Sequence, residues 1–378
     1  MLDMATDVLP HSESEDLVGE TPGNRPVSSR DGGPERCLTF QLQAGESLEG
    51  LVQRMAKARE DVTFVDVLVF GSTRSMRTVN DAVKRVFGRL DWPIAWVDGE
   101  SCERQPVAGI QVVGFKGPVA RIRCNGSIVG SVFEYGGARH CLVSGLGPAS
   151  LSSDRGGQTA QTLERLDDIL VKAGFSISDV MRTWFFLDDI LSWYPEFNRA
   201  RNRLYSGIRF RTGSLPASTG VGARNADGAA LTLRARAMQP LDHTAVAVEI
   251  ASPLQCPAPN YGSSFSRAME LSTTAGRQLF VSGTASIAPG GETMFPEDIV
   301  EQVEQTMKVV GAILRSRGYR FEDVTRAVAY FKHRAYLPVF RDWCAVNRQQ
   351  ALPVVAARCD VCRDDLGFEI EADAETSA

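Results

Sequence analysis

The stretch Gln158–Arg182 (QTAQTLERLDDILVKAGFSISDVMR) returns 144 positions later as Gln302–Arg326 (QVEQTMKVVGAILRSRGYRFEDVTR). Gln158, Gln161, Thr162, Ile169, Leu170, Gly174, Asp179, Val180 and Arg182 all recur in register. In the later copy Ile299, Val303, Met307, Val310 and Leu314 are spaced for one face of a helix over Glu297–Arg317. Acidic residues crowd its first turn, basic residues its last, and Gly318 stands where a helix stops. A second pair of stretches, Leu215–Ala237 (LPASTGVGARNADGAALTLRARA) and Leu352–Ala374 (LPVVAARCDVCRDDLGFEIEADA), also shares one spacing. Pro216 to Thr232 equals Pro353 to Glu369, so a hydroxyl in one copy answers to a carboxylate in the other. One copy is then expected to be scaffold and the other to do chemistry.

Around these stretches the second copy reads strand, long helix, strand, helix, two strands. Gln278–Ser282 alternates as a strand, and Val324–Lys332 is β-branched and aromatic. Pro338 opens a helix through about Gln349. Val354–Val361 and Gly367–Ala372 read as a strand pair joined by the polar turn Cys362–Leu366. The first copy repeats the series, with a strand at Val180–Leu187 and a helix at Pro195–Tyr205. A fainter third copy precedes both. Val65–Ser72 matches the middle strand, and Ser47–Ala58 would be the long helix. Asn80, Ala82, Arg85 and Phe87 align with Asn198, Ala200, Arg203 and Tyr205, and Trp92-Pro93 takes the place of the Leu-Pro pairs. Three β-α-β-α-β-β units predict an α+β fold with helices on one face of each sheet. Packed around a common axis, the sheets would bury one another and mimic a homotrimer within one chain, with ligand sites in clefts between units. The expected divisions are a disordered tail over 1–35 and units over 36–117, 118–250 and 251–378.

The composition fits a globular protein: 43% hydrophobic, 23% charged, net charge −5. That balance offers no electrostatic footprint for nucleic acid. No apolar run approaches the ~18 residues of a membrane span, and the acidic N-terminal stretch lacks a signal-peptide pattern. Eight irregularly spaced cysteines read as free thiols in a reducing compartment, so the expectation is a cytoplasmic protein. The four histidines are scattered, and no metal-ligand or nucleotide-binding spacing appears.

The units resemble the RidA/YjgF family, whose chorismate-mutase-like subunits form trimers with sites between subunits. In that family a Pro-Ala-Arg-Ser stretch supplies an arginine, and a Glu-Ile-Glu strand follows. Here the stretches are Pro216–Thr219 (PAST) and Pro353–Ala356 (PVVA), which lack the arginine; that argues against imine hydrolysis of the RidA type. The acidic strand survives as Glu369-Ile370-Glu371. Over roughly 36–375 the chain is similar to the chorismatases, which are built from tandem RidA-like units. The likeness is carried by TWFFLDDILSWYPEFN (183–198), LPASTGVGARN (215–225), FVSGTASIAPGGET (280–293), RAVAYFK (326–332) and VCRDDLGFEIEADA (361–374). Membership would imply cleavage of chorismate with release of pyruvate, as a lyase or hydrolase of secondary metabolism. Subtypes of the family yield a dihydroxycyclohexadiene acid or hydroxybenzoates. In the 3-hydroxybenzoate-forming subtype a cysteine lies seven residues before the catalytic glutamate, as Cys362 does before Glu369.

Glu369 is therefore the expected general acid, although on a strand Glu369, Glu371 and Asp373 would also make an ordinary solvated face. Breaking an enol ether requires a proton on its methylene carbon, which a carboxylic acid of raised pKa supplies. Cys362 shares a CxxC spacing with Cys359, open to half a zinc site, a redox pair or a small packing residue. The resemblance implies that it meets the substrate ring and favours attack by the ring hydroxyl over attack by water. Chorismate carries two carboxylates, and Arg155, ahead of the long helix, is the preferred clamp, with Arg363 and Lys332 as further cations. Tyr205 could lend a hydroxyl or simply pack; Ser218 and Thr219 could donate hydrogen bonds; Ala285 leaves room for a ring. No cofactor is expected, since enol-ether cleavage needs none. Neither is a nucleic-acid or membrane partner, and the chain is expected to be a monomer. The leading expectation is 3-hydroxybenzoate and pyruvate from chorismate. A dual 3-/4-hydroxybenzoate synthase, a dihydroxy-acid-forming enzyme and a non-enzymatic RidA-like metabolite binder stand as alternatives.

Overall fold

The computed structural model describes residues 33–377 and the backbone of the short strand Val27–Ser28. The rest of the expected tail lies outside the described residues, except its last three positions, 33–35. Glu35 opens a strand and is buried against Arg236, because that buried guanidinium needs a counter-charge.

Three units follow one another. The first holds β1 (Val27–Ser28), β2 (Glu35–Phe40), α1 (Leu48–Ala58), β3 (Thr63–Gly71), α2 (Thr73–Phe87), β4 (Ile94–Asp98), β5 (Glu100–Ser101) and β6 (Val107–Phe115). The second holds β7 (Ala120–Cys124), β8 (Ser127–Tyr135), β9 (Ala138–Leu146), α3 (Arg155–Lys172), β10 (Val180–Leu187), α4 (Ile190–Tyr205), β11 (Ala217–Gly222) and β12 (Leu231–Pro240). The third holds β13 (Val246–Ile250), β14 (Ala268–Thr273), β15 (Gly276–Ala285), α5 (Ile299–Ser316), β16 (Val324–Phe331), α6 (Leu337–Val346), β17 (Val354–Arg358) and β18 (Phe368–Ser377). Capping side chains set the helix starts: Ser47 accepts from Gly50 N–H, Asp154 from Gly157, and Asp298 from Val300 and Glu301. Beyond α5, Gly318 takes the left-handed conformation (φ 79°) that the sequence anticipates for a helix stop.

The sheets are mixed and share one strand order at their centres: β2-β6-β3-β4, β9-β12-β10-β11 and β15-β18-β16-β17. That identity bears out the tandem α+β units, the faint first one included. Two local expectations change. The segments around 354 and 368 do not pair with each other; β16 lies between them, parallel to β17 and antiparallel to β18. The connection between them is too long for a tight hairpin and passes across β16. Helix α4 starts at Ile190, not at Pro195, which falls inside it. Ile190, Trp193 and Phe197 are buried in the core on either side of the proline and hold the helix through it.

Each helix pair covers one face of its own sheet, giving three apolar cores. The opposite faces meet one another. Leu68 and Phe70 of β3, Trp184 and Phe186 of β10, and Val328 and Tyr330 of β16 share one buried cluster. Polar contacts accompany it at equivalent positions. Asp66, Arg182 and Arg326 each sit just after a register shift in the third strand of the four shared by every sheet. Each reaches the second of those strands in another unit. Asp66 accepts from Arg234 at 2.6 Å, Arg182 donates to Glu371 at 3.0 Å, and Arg326 donates to Gln111 at 2.7 Å. First to second, second to third, third to first: the contacts close a cycle. Strand β5 of the first unit also pairs with β17 of the third. No helix among the described residues is long and apolar enough to cross a membrane.

Arg326 also bonds Glu371 and Asp373 on β18, and all three are buried. Arg326→Met strands Asp373 and takes from Glu371 one of its two cations, so a loss of ~3–5 kcal/mol is expected. It should be read as a lower urea midpoint at constant m-value; an unchanged midpoint would discount the cycle as a stabilising element.

Candidate active site

A cavity of about 500 Å³ opens between the second and third units. Helix α4 and strand β11 form one wall; β15, β18 and the loops carrying Tyr261, Arg267 and Cys362 form the other. Glu369 projects into it from β18, flanked in the sheet by Ala285 and Tyr330. Its side chain has room because position 283 is glycine: a Cβ there would lie 2.0 Å from Glu369 Oε1. Glu369 is 4% exposed, and no hydrogen bond reaches its carboxyl among the described residues. Burial first, and the neighbouring Glu371 second, push its pKa up to about 8, against the pull of Arg182 and Arg267. It is the acid form that this environment favours at neutral pH.

Glu371, two residues on and on the same face, lives under opposite conditions. Burial alone would raise it, but Arg326 and Arg182 outweigh that and hold it below the usual carboxylate range. Arg182 Nη2 also donates to Thr219 Oγ1 at 2.7 Å, and Gly283 N–H donates to the same oxygen at 3.0 Å. Both acceptor sites of the Thr219 hydroxyl are thus used. Thr219 shapes the floor beneath Glu369 and is not among the residues that line the cavity. Ser218 is different: its Oγ accepts from Thr183 at 3.0 Å, its N–H is tied to Ser282, and its own hydroxyl proton remains for the cavity it lines.

Glu369 is the one carboxylate among the lining residues, faced by Arg199, Arg201, Arg267 and Arg363. Arg201 is 1% exposed and Arg267 4%. Arg201 donates to Asn198 Oδ1 at 2.7 Å and Arg267 to the Cys256 carbonyl at 2.9 Å. Nε of Arg201 and one Nη of Arg267 find no partner among the described residues. A buried donor left so costs ~1–3 kcal/mol, a debt that an incoming anion would cancel. Arg363 and Arg267 both lie against the Tyr261 ring, at 5.6 and 5.3 Å. The chamber suits a small dianion with an apolar body and a site to be protonated.

The structure brings Glu369, Cys362, Ser218, Ala285 and Arg363 together, with Thr219 just behind them. Cys362 is half-buried, and burial, with Glu369 next, pushes its thiol up to about 12. It is a neutral SH group at physiological pH. Three expected residues lie elsewhere. Arg155 begins α3, lies over Trp193 and pairs with Asp189 at 3.4 Å, lining a separate acidic cleft; the Asp189 charge draws it there. Tyr205 is in the core of the second unit, ring against Phe210, because its helix face is the buried one. Lys332 is tied at 2.6 Å to Asp364, the nearest acid in the adjoining loop. The buried cations beside Glu369 are instead Arg201 and Arg267, which no spacing singles out. Arg201 is one of three alternating arginines in α4, and only its burial separates it from Arg199 and Arg203.

Comparison with known proteins agrees with this architecture. The family described as endoribonuclease L-PSP matches residues 138–236 and 257–376, together more than half of the chain. A 3-hydroxybenzoate synthase of Streptomyces hygroscopicus is 29% identical over 224 residues, covering 52% of this chain and 64% of that protein. A chorismatase of the same organism is 29% identical over 213 residues, covering 50% and 60%. The chain thus spans less than two thirds of the length of these curated relatives. A chorismatase crystal structure superimposes with a TM-score of 0.66 over 92% of this chain and 100% of that one, at 20% identity, a likeness of fold. By the extent of its two family matches, the chain belongs to the endoribonuclease L-PSP family.

Proposed function

We propose that this chain is a chorismatase that converts chorismate into 3-hydroxybenzoate and pyruvate in the cavity around Glu369. The observation that carries this reading is a single carboxylic acid with a pKa near 8, set among buried arginines with unused donors. Arg201 and Arg267 would take the two carboxylates of chorismate, leaving its ring against Ala285 and Cys362. Glu369 would then deliver a proton to the methylene carbon of the enolpyruvyl ether. Positive character develops on the ether carbon, the ring C–O bond weakens, and pyruvate departs as its keto form. Attack by the ring hydroxyl in place of water, followed by loss of a ring proton, gives the aromatic acid. The balance closes without water: chorismate equals 3-hydroxybenzoate plus pyruvate. The neutral thiol of Cys362 would occupy the space where an attacking water would stand. With one such cavity between units of one chain, a monomer would suffice, and the three units would act as an internal trimer divided near residues 117 and 250.

Mixing the protein with chorismate and assaying pyruvate tests the reading; no pyruvate would leave a metabolite-binding protein. Glu369→Gln should reduce pyruvate release by ~10²–10⁴-fold. In the unaltered protein activity should fall as pH rises through about 8, where Glu369 loses its proton. An unfolded carboxyl titrates near ~4.3. Between that value and about 8 the folded state holds the extra proton, so stability should fall with rising pH across this window and level off above it. Glu369→Gln should flatten that slope.

Gly283→Ala should displace the Glu369 carboxyl and lower pyruvate release by ~10²-fold while the fold survives. Cys362→Ala should shift the product toward the dihydroxy acid, read by chromatography of the acids formed; an unchanged product spectrum would remove its steering role.

A further inference from the structure

We infer that Glu371 is the positioning residue for the proton on Glu369: clamped in its ionised form between Arg326 of its own unit and Arg182 of the preceding one, it keeps Glu369 in the acid form. This rests on the reading of Glu369 as the proton donor.

The geometry comes first. Residues i and i+2 of a strand point to one face about 6.5 Å apart, so the two carboxyls are near neighbours. Both are buried, Glu369 at 4% exposure and Glu371 at 0%. Two carboxylates at that separation in a dry site do not both ionise freely, and the one with cations beside it ionises first. Glu371 receives Arg326 on one oxygen and Arg182 at 3.0 Å on the other. Nothing comparable reaches Glu369. The groups facing Glu369 from the elements around it are Glu371, Arg182 of β10, Arg267, Cys362, Tyr194 of α4 and Tyr330 of β16, with Arg199 and Arg201 of α4 and Arg363 across the cavity. Cys362, Tyr194 and Tyr330 are neutral at physiological pH, since burial raises all three. Arg182 and Arg267 favour ionised Glu369, which leaves Glu371 as the one charge that opposes it.

The clamp also couples the acid to the boundary between units. Arg182 belongs to the second unit and Glu369 to the third. The Nη2 atom that holds Glu371 also holds Thr219, whose oxygen receives the N–H of the glycine beneath Glu369. Separating the units would remove Arg182 from Glu371 and Thr219 from Gly283 in one movement. The proton on Glu369 and the shape of its seat thus depend on the same closed interface.

The test is a titration of the Glu369 carboxyl by isotope-edited infrared spectroscopy of full-length protein with ¹³C-labelled glutamate, without substrate, using Glu369→Gln to assign the band. The unaltered protein should show Glu369 losing its proton near 8; a midpoint in the ordinary carboxylate range would overturn the inference before any other variant is made. Glu371→Gln removes the opposing charge and frees two cations, so the midpoint should drop by ~1–2 pH units. Arg182→Gln removes a favouring cation while Arg326 still holds Glu371, so the midpoint should rise. Opposite displacements support the clamp; no displacement in Glu371→Gln, or displacement of both variants in one direction, refutes it. Because the midpoint is read on the free protein, the clamp can stand when chorismate is not turned over. Equally, pyruvate release with Glu369 titrating as an ordinary carboxyl would leave the proposed activity and remove the clamp.

Discussion

A carboxylate held between two arginines from different units, Glu371 between Arg326 and Arg182, is the contact on which the architecture of the cavity depends. None of the three is accessible to water in a way that would compensate a missing partner. Burying an ionised group is unfavourable unless the geometry and the remaining hydrogen bonds are complete. Here they are nearly so, because Thr219, Asp373 and Gln111 take up further valences of the same groups. Three arginines, Arg182, Arg234 and Arg326, also pack around the Trp184 ring at 4.5, 4.1 and 5.5 Å. The place where three sheets meet is thus charged and aromatic together, and it admits one relative placement of the units.

The repeated plan explains how one chain can hold a single specialised boundary. Glu369, Thr232 and Gly109 occupy equivalent positions on β18, β12 and β6. Where Gly109 stands there is no side chain to act, and Val355 packs so closely that a Cβ would lie 2.7 Å from it. Val355 falls in the stretch that aligns with Ser218 and its neighbours, so the strand that lines a chamber at one boundary, β11, has a counterpart in β17 that fills the space at another. At the Thr232 position a hydroxyl replaces the acid. At this position the three units differ by one side chain on a strand order common to all.

Within the chamber the division of labour follows from solvation. Glu369 is buried beside an ionised carboxylate with no cation bonded to it and keeps its proton; Glu371 is bonded by two arginines and does not. Arg201 and Arg267, each with an unpartnered donor, face the space, while Arg182 and Arg326 lie behind it, bonded to Glu371. Cys362 is held as a thiol by the same desolvation that acts on Glu369. A ligand entering this space meets fixed dipoles and charges already arranged, with little reorganisation left to make.

Local pattern determined much of this protein. The helical period of 299–314, the β-branched run of 324–331, the glycine stop at 318 and the constant offset of 144 are properties of short stretches, and they were sufficient for the unit, its repetition and the α+β class. The Thr232/Glu369 difference likewise pointed to the acid, because it needs only an alignment of two copies. Which strands become neighbours was less legible: the insertion of β16 between β17 and β18 depends on sheet order, which no turn signal encodes. Of the cationic wall only Arg363 could be read. Arg201, Arg267 and Glu369 come from positions far apart in the chain, and the arginines differ from the other cations in being buried at the cavity with an unpartnered donor. Arg155, plausible by its loop, was drawn to Asp189 instead. Sequence determined which elements form and which residue can hold a proton; tertiary structure alone decided which charges surround it, because burial and charge pairing arise only when separate units close on one another.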